Sequence, residues 1–218
     1  MSSDQGRRER GKQLKRERIS AAARDLFDEF GYARVTTQQV ADRADVAVGT
    51  VFRYAATKAE LLLMVRNEEV RQAVRRGLEA ARAVPDAAEA VRAALSPLFD
   101  TAAQRAADAA VYQRELMFGD ADDPHRADGL SVVAELEDGI ARILTGGQAS
   151  AAARSAARAI FACAHIVLVR PRGEEGFDTT DLPTQIAQIV AGYRAGAGET
   201  AADRPRSERR ETPVRKKR

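Results

Sequence analysis

Apolar residues first recur at helical spacing from Leu14 onward. Ile19, Ala22, Ala23, Leu26, Phe27 and Phe30 lie three or four apart and form one stripe. Gly31 follows and predicts the C-terminal stop. Thr36 or Thr37 is placed to cap a second, short helix with Val40, Ala41 and Ala44 inward. Asp45-Val46 breaks that helix, because Asp tolerates the left-handed backbone of a sharp turn. A third short helix, 47–54, turns Val51 inward. Thr57-x-x-Glu60 is a capping box that opens a long helix bearing Leu61, Leu62, Val65, Val70 and Val74, closed by Pro85. Pro97 is expected to kink or divide 86–107. Further helices are predicted over 111–118, from Pro124 to about Leu144, over 149–169, and from Leu182 or Pro183 to near Gly196. No period-two alternation with hairpin turns occurs, so the fold class is all-α. Residues 1–13 and 197–218 are polar without periodicity, and are expected to be a disordered basic arm and tail.

Composition sharpens this picture. Charged residues make up 31% of the 218, above the usual ~25%, and aromatics only 5%. The charge is unevenly spread. Residues 1–60 carry 12 Lys/Arg against 9 Asp/Glu, residues 61–203 carry 15 against 21, and residues 204–218 carry 8 against 2. A basic head on an acidic body suggests a polyanionic partner. One cysteine, Cys163, excludes a disulfide framework and a Cys-based zinc finger. No run of eighteen apolar residues suggests a membrane span, and the basic N-terminus lacks the apolar core of a secretory signal. A cytoplasmic setting without membrane contact is the expectation. No P-loop, dinucleotide glycine fingerprint, nucleophile elbow or zinc motif occurs, so neither an enzyme nor a cofactor is expected.

Two short helices behind a longer buried one make a helix-turn-helix candidate, with its second short helix in the major groove. The amino end of that helix carries Val48, Gly49 and Thr50. Gly49 permits close backbone approach, and Thr50 can donate to a phosphate or base edge. Arg53 and Tyr54 follow one turn on. Lys58 adds a cation at a helix amino end, where phosphate binding is favoured. Arg7, Arg8, Arg10, Lys12, Lys15 and Arg16 could reach along the minor groove.

The stretch Gly31-Tyr32-x-x-Val35-Thr36-Thr37-x-x-Val40-Ala41, then Ala44 to Phe52, then Tyr54 and Thr57-Lys58-x-x-Leu61, resembles the DNA-binding domain of the TetR family of bacterial transcription regulators. The resemblance covers about 14–62. It implies a helix-turn-helix domain, 14–56, followed by a helical ligand-binding and dimerisation domain, 57–196. It implies a homodimer through the last two helices, double-stranded operator DNA as partner, and repression relieved by a small-molecule effector. Carried onto matching positions, Thr37 contacts a phosphate and Gln38 a base or phosphate. Val48, Gly49 and Thr50 face the groove, and Phe52, Arg53, Tyr54 and Lys58 contact base edges or backbone. Three positions depart from the family pattern: Asp45 stands where Gly is usual, Ala47 where a Ser-like cap is usual, and Ala55 where an aromatic is usual.

Beyond residue 61 only the helix pattern resembles the family. Candidate pocket linings are Phe99, Tyr112, Leu116, Met117, Phe118 and His165. The dimer seam is expected from Ala149, Ala152, Ala156, Ala159 and Ala164, filled by Ile160, Ile166, Ile186, Ile189 and Val190. Asp120, Asp122, Asp123, His125 and Asp128 form one metal-like cluster. Counted as a calcium loop it puts His125 and Ser131 where Gly and Glu belong, so no metal site is expected. The competing reading is a ligand-independent helical architectural protein that coats DNA through its basic ends.

Overall fold

A computed structural model describes residues 2–170 and 177–202. Nine α-helices lie among them: α1 (Ser2–Phe30), α2 (Thr37–Arg43), α3 (Val48–Phe52), α4 (Lys58–Ala81), α5 (Ala87–Ala103), α6 (Ala106–Phe118), α7 (Pro124–Thr145), α8 (Ala151–Leu168) and α9 (Leu182–Ala202). The fold is all-helical, with a helix-turn-helix near the amino end and a helical bundle behind it.

Local chemistry sets the helix ends. Gly31 stops α1 at φ 75°, and its N–H donates to the Phe27 carbonyl at 2.9 Å. Thr36, not Thr37, caps α2, in a reciprocal capping box with Gln39. Asp45 takes the predicted left-handed turn at φ 50°, and Arg18 of α1 donates to its carbonyl at 3.0 Å and its carboxylate at 3.1 Å. Those two bonds hold the turn in a backbone region that a non-glycine residue occupies at a cost. Thr57 accepts from Glu60 N–H at 3.0 Å, but Glu60 reaches back to Ala56 N–H at 2.6 Å, one residue earlier than a standard capping box. Ala47 makes no side-chain cap to α3.

Some expected boundaries move. The basic arm is helical from Ser2, contrary to the expected disorder of 1–13. A missing apolar stripe shows only that no face is buried; it does not stop a helix propagating outward from a docked half. Pro97 lies inside α5 without dividing it, because Val91, Ala94, Leu95 and Leu98 are buried on both sides of it. The last helix runs past Gly196 to Ala202, and the expected tail beyond it lies outside the described residues. One helix, α8, does match a membrane span in length and mean hydropathy (18 residues, 1.3). It is packed against α6, α7 and α9, and Ala153, Ala157, Ile160, Ala164 and Leu168 face the core.

Two cores meet on α4. Ile19, Ala23, Phe27, Val40, Val51, Leu61 and Leu62 form the first, which Tyr112 and Leu116 of α6 complete. Val74, Leu95, Leu136, Ile140, Ile160, Leu168 and Ile186 form the second. Leu61, Leu62 and Leu63 are all 0% exposed. At roughly 1.5–3 kcal/mol per buried leucine, that burial outweighs any surface ion pair in fixing the start of α4. Packing is therefore continuous across residue 57, and α4 belongs to both halves.

Candidate nucleic-acid interface and effector cavity

The small helix α3 presents its outer face without cover. Gly49, Phe52 and Arg53 are exposed, Val48 and Thr50 are half-buried, and Val51 anchors the other side at 0% exposure. A Cβ on Gly49 would meet nothing within 4 Å, so the protein itself has no need of glycine there. Beside α3, Thr37 is half-buried and Gln38 exposed, the Gln38 amide donating to Asp42 at 2.8 Å. Tyr54 donates its hydroxyl to the Lys12 carbonyl at 2.9 Å, tying the basic part of α1 to the end of α3. Gly11, Lys12, Lys15, Arg53 and Tyr54 border one open groove there. Of the nine sequence-predicted residues, Gln38, Gly49, Phe52 and Arg53 are thus exposed and Thr37, Val48, Thr50 and Tyr54 half-buried.

Lys58 differs from them. Its ammonium donates to the carbonyls of Tyr32 at 2.9 Å and Val35 at 3.0 Å, with the Ala33 carbonyl at 3.5 Å. It also stands 4.2 Å from the centroid of the Tyr32 ring. The ammonium is directed at protein carbonyls, an internal clamp on the α1–α2 connection that competes with the phosphate contact expected of this side chain.

The pocket candidates scatter. Tyr112 and Leu116 are buried together, and Met117 packs against the core. Phe99 lies apart, beside an open groove, with its ring 6.5 Å from that of Phe177. Phe118 is 81% exposed at the end of α6. It lies one residue before the Gly119 cap, where the chain leaves the bundle. His165 donates through Nδ1 to the Gln113 amide oxygen at 3.0 Å, and burial lowers its pKa.

Of these candidates Tyr112 also lines a half-open cavity with about 50 Å³ of room between α4, α5 and α6. Val70, Leu98, Ala102 and Tyr112 supply apolar walls, and Arg66, Glu69, Arg105 and Asp108 the charge. Arg66 is only 7% exposed. It donates to Asp28 at 2.6 Å and Glu69 at 3.1 Å, while Arg105 pairs with the same Asp28 at 2.9 Å. Asp108 accepts from the Tyr32 backbone N–H at 2.9 Å through Oδ1. Burial raises its pKa, against the opposing pull of that N–H and of Arg66. The sequence gives no warning of this contact, because its partners are 76 residues apart.

A second link joins the halves. The buried His125, in the first turn of α7, contacts the Tyr54 carbonyl at 2.7 Å through Nε2. Asn67 of α4 donates to the His125 carbonyl and to Asp128, each at 2.8 Å, and receives the Tyr112 hydroxyl at 3.0 Å. Three acidic side chains of this region are likewise engaged. Asp123 caps α7, Asp120 accepts from Asp122 N–H, and Asp128 also pairs with Arg71.

Residues 19–65 match the family model for bacterial regulatory proteins of the tetR family. The matched residues include those that form the helix-turn-helix described above. Over 55 residues the chain is 44% identical to the HTH-type transcriptional repressor KstR of Mycobacterium tuberculosis, covering 25% of each protein. Over 63 residues it is 41% identical to KstR of Rhodococcus jostii, covering 29% of this chain and 30% of that one. The matches therefore span about a quarter to 30% of the length of these relatives. The TetR-like fold extends much further. A TetR transcriptional regulator from Rhodococcus sp. RHA1 superposes at TM-score 0.60 and 20% identity, covering 84% of this chain and 95% of that one. BioQ, crystallised with its double-stranded DNA operator, gives 0.60 at 19% identity, covering 83% and 98%. Thermus thermophilus FadR, crystallised with lauroyl-CoA, gives 0.57 at 24% identity, covering 93% and 100%.

Proposed function

We propose that the chain is a sequence-specific DNA-binding regulator, a repressor that binds a palindromic operator as a homodimer and is released by a small ligand. The observation that carries the reading is the exposed outer face of α3, with Gly49, Phe52 and Arg53 uncovered beside the basic half of α1. A helix so presented fits a major groove ~12 Å wide. Thr37, Gln38, Val48, Thr50, Arg53 and Tyr54 are the proposed contacts. KstR is named as a repressor, BioQ was crystallised on its operator and FadR with an acyl-CoA; these relatives support operator binding and ligand response as the class of behaviour.

Dimerisation through α8 and α9 uses a narrower set than the seam expected from sequence. Ala164, Ile160, Ile186 and Val190 are buried within the chain, whereas Ala152, Ala159 and Ile166 remain exposed. The last three, all on α8, and the half-buried Ile189 of α9 are the proposed contacts with the second copy. Release follows from the links through Asp108 and His125. A ligand that shifts α6 or α7 moves the residues holding Tyr32 and Tyr54, and with them the two recognition helices relative to fixed half-sites.

The test is selection of bound sites from random duplex DNA, followed by affinity measurement over a range of salt. Two related half-sites about one helical turn apart should emerge, with discrimination of ~1–3 kcal/mol per altered base pair. An architectural coat would enrich no sequence and would lose its affinity with salt equally on all DNA.

A further inference from the structure

We infer that Asp108 is the ligand sensor of the cavity between α4, α5 and α6, and that the cavity takes a small apolar amine as its ammonium ion. This rests on the reading that the bundle holds an effector site. Asp108 lines the cavity and is 7% exposed. Its two oxygens have different fates. Oδ1 accepts from the Tyr32 N–H, the contact that ties α6 to the helix-turn-helix domain. Oδ2 is buried with no hydrogen-bond partner; its nearest cation, Arg66 Nη2, stands 3.9 Å away. A buried carboxylate oxygen left without a donor is costly, and a ligand that supplies one recovers that cost.

The surrounding charges decide the sign of the ligand. Asp28, Glu69 and Asp108 face two arginines, Arg66 and Arg105. Both guanidinium groups already bridge Asp28 and Glu69, so an acidic head group would have to displace a carboxylate to reach them. One negative charge is in excess, and the free acceptor lies on the residue that carries it. Oδ2 is closed off from the cavity, so an ammonium donates there as the carboxylate turns toward it, and neutralises the cluster. Its alkyl stem lies against Val70, Leu98 and Ala102. The room available encloses about two carbons of that stem, and a longer stem extends through the open side of the cavity.

The same geometry gives the signal. An ammonium on Oδ2 draws the carboxylate toward the cavity and weakens acceptance from the Tyr32 N–H through Oδ1. Tyr32 is also the residue clamped by Lys58, so its movement is passed to the connection leading into α2.

The experiment uses n-butylamine, n-butanol and butyrate, matched in length and differing in head group. Binding to the full chain is followed by NMR titration without DNA. Butylamine should bind at least tenfold more tightly than butyrate, with butanol between. Asp108→Asn keeps an oxygen for Tyr32 and puts a donor in place of Oδ2; it should lose at least tenfold in butylamine affinity and gain none for butanol. Ala102→Leu narrows the cavity without touching charge, and should weaken all probes that bind. Butyrate binding as tightly as butylamine, or undiminished butylamine binding by Asp108→Asn, would overturn the assignment. So would the absence of saturable binding by all three. Because the titration contains no DNA, a failure to recognise any operator would count against the regulator reading alone.

Discussion

Replacing Lys58 by Met separates an internal clamp from a phosphate contact. The change keeps the apolar stem and deletes the ammonium. Two well-formed bonds are lost, to the carbonyls of Tyr32 at 2.9 Å and Val35 at 3.0 Å; the 3.5 Å approach to Ala33 adds little. Hydrogen bonds to a charged group are worth roughly 1.5–3 kcal/mol each when buried. Lys58 is half-buried, and water recovers part of that, leaving about 2 kcal/mol for the pair. Loss of the cation over the Tyr32 ring adds about 0.5–1 kcal/mol. Urea unfolding should therefore show a stability loss of about 2–3 kcal/mol as a lower midpoint at nearly constant slope. The salt dependence of operator binding, measured where the variant is fully folded, should keep its slope. A phosphate-binding lysine behaves in the opposite way: stability barely changes, and the slope falls by about one. A loss below about 0.5 kcal/mol together with that fall in slope would refute the clamp.

Gly77→Ala places a methyl 1.9 Å from the Ala94 carbonyl oxygen, where α4 crosses α5. The helices must part by about 1 Å, so a net loss of about 1–3 kcal/mol is expected by thermal unfolding despite the better helix propensity of Ala; an unchanged Tm would show that the crossing yields freely. Gly49→Ala meets no neighbour, so stability should hold or rise by up to ~1 kcal/mol while operator affinity falls about tenfold in fluorescence anisotropy. Equal affinity would show that the α3 backbone does not approach DNA closely. Burial lowers the His165 pKa below its ordinary 6.5, so over the window between the two values the unfolded chain binds more protons. Stability should rise with pH across that window and level off above it; His165→Gln should flatten the rise, and an identical pH profile would remove His165 as its cause.

The sequence alone determined what depends on neighbours a few residues away. The apolar stripe of α1, the Gly31 stop, the left-handed Asp45 turn and the Thr57 cap arise from spacing and backbone preference, and together they define the helix-turn-helix. Its exposed residues follow, because Val51 inward leaves Gly49, Phe52 and Arg53 outward on the same short helix. Only the tertiary structure decided where each charge is satisfied. Lys58 looks like a solvent-facing cation in sequence, yet three carbonyls some two dozen residues earlier accept from it. Phe118 looks like a pocket residue and points to solvent, while Arg66, Arg105 and Asp108 look like surface charges and surround a cavity. Periodicity reports which face of a helix is buried. It does not report what a polar group on that face will meet, because the partner of Asp108 lies 76 residues away along the chain.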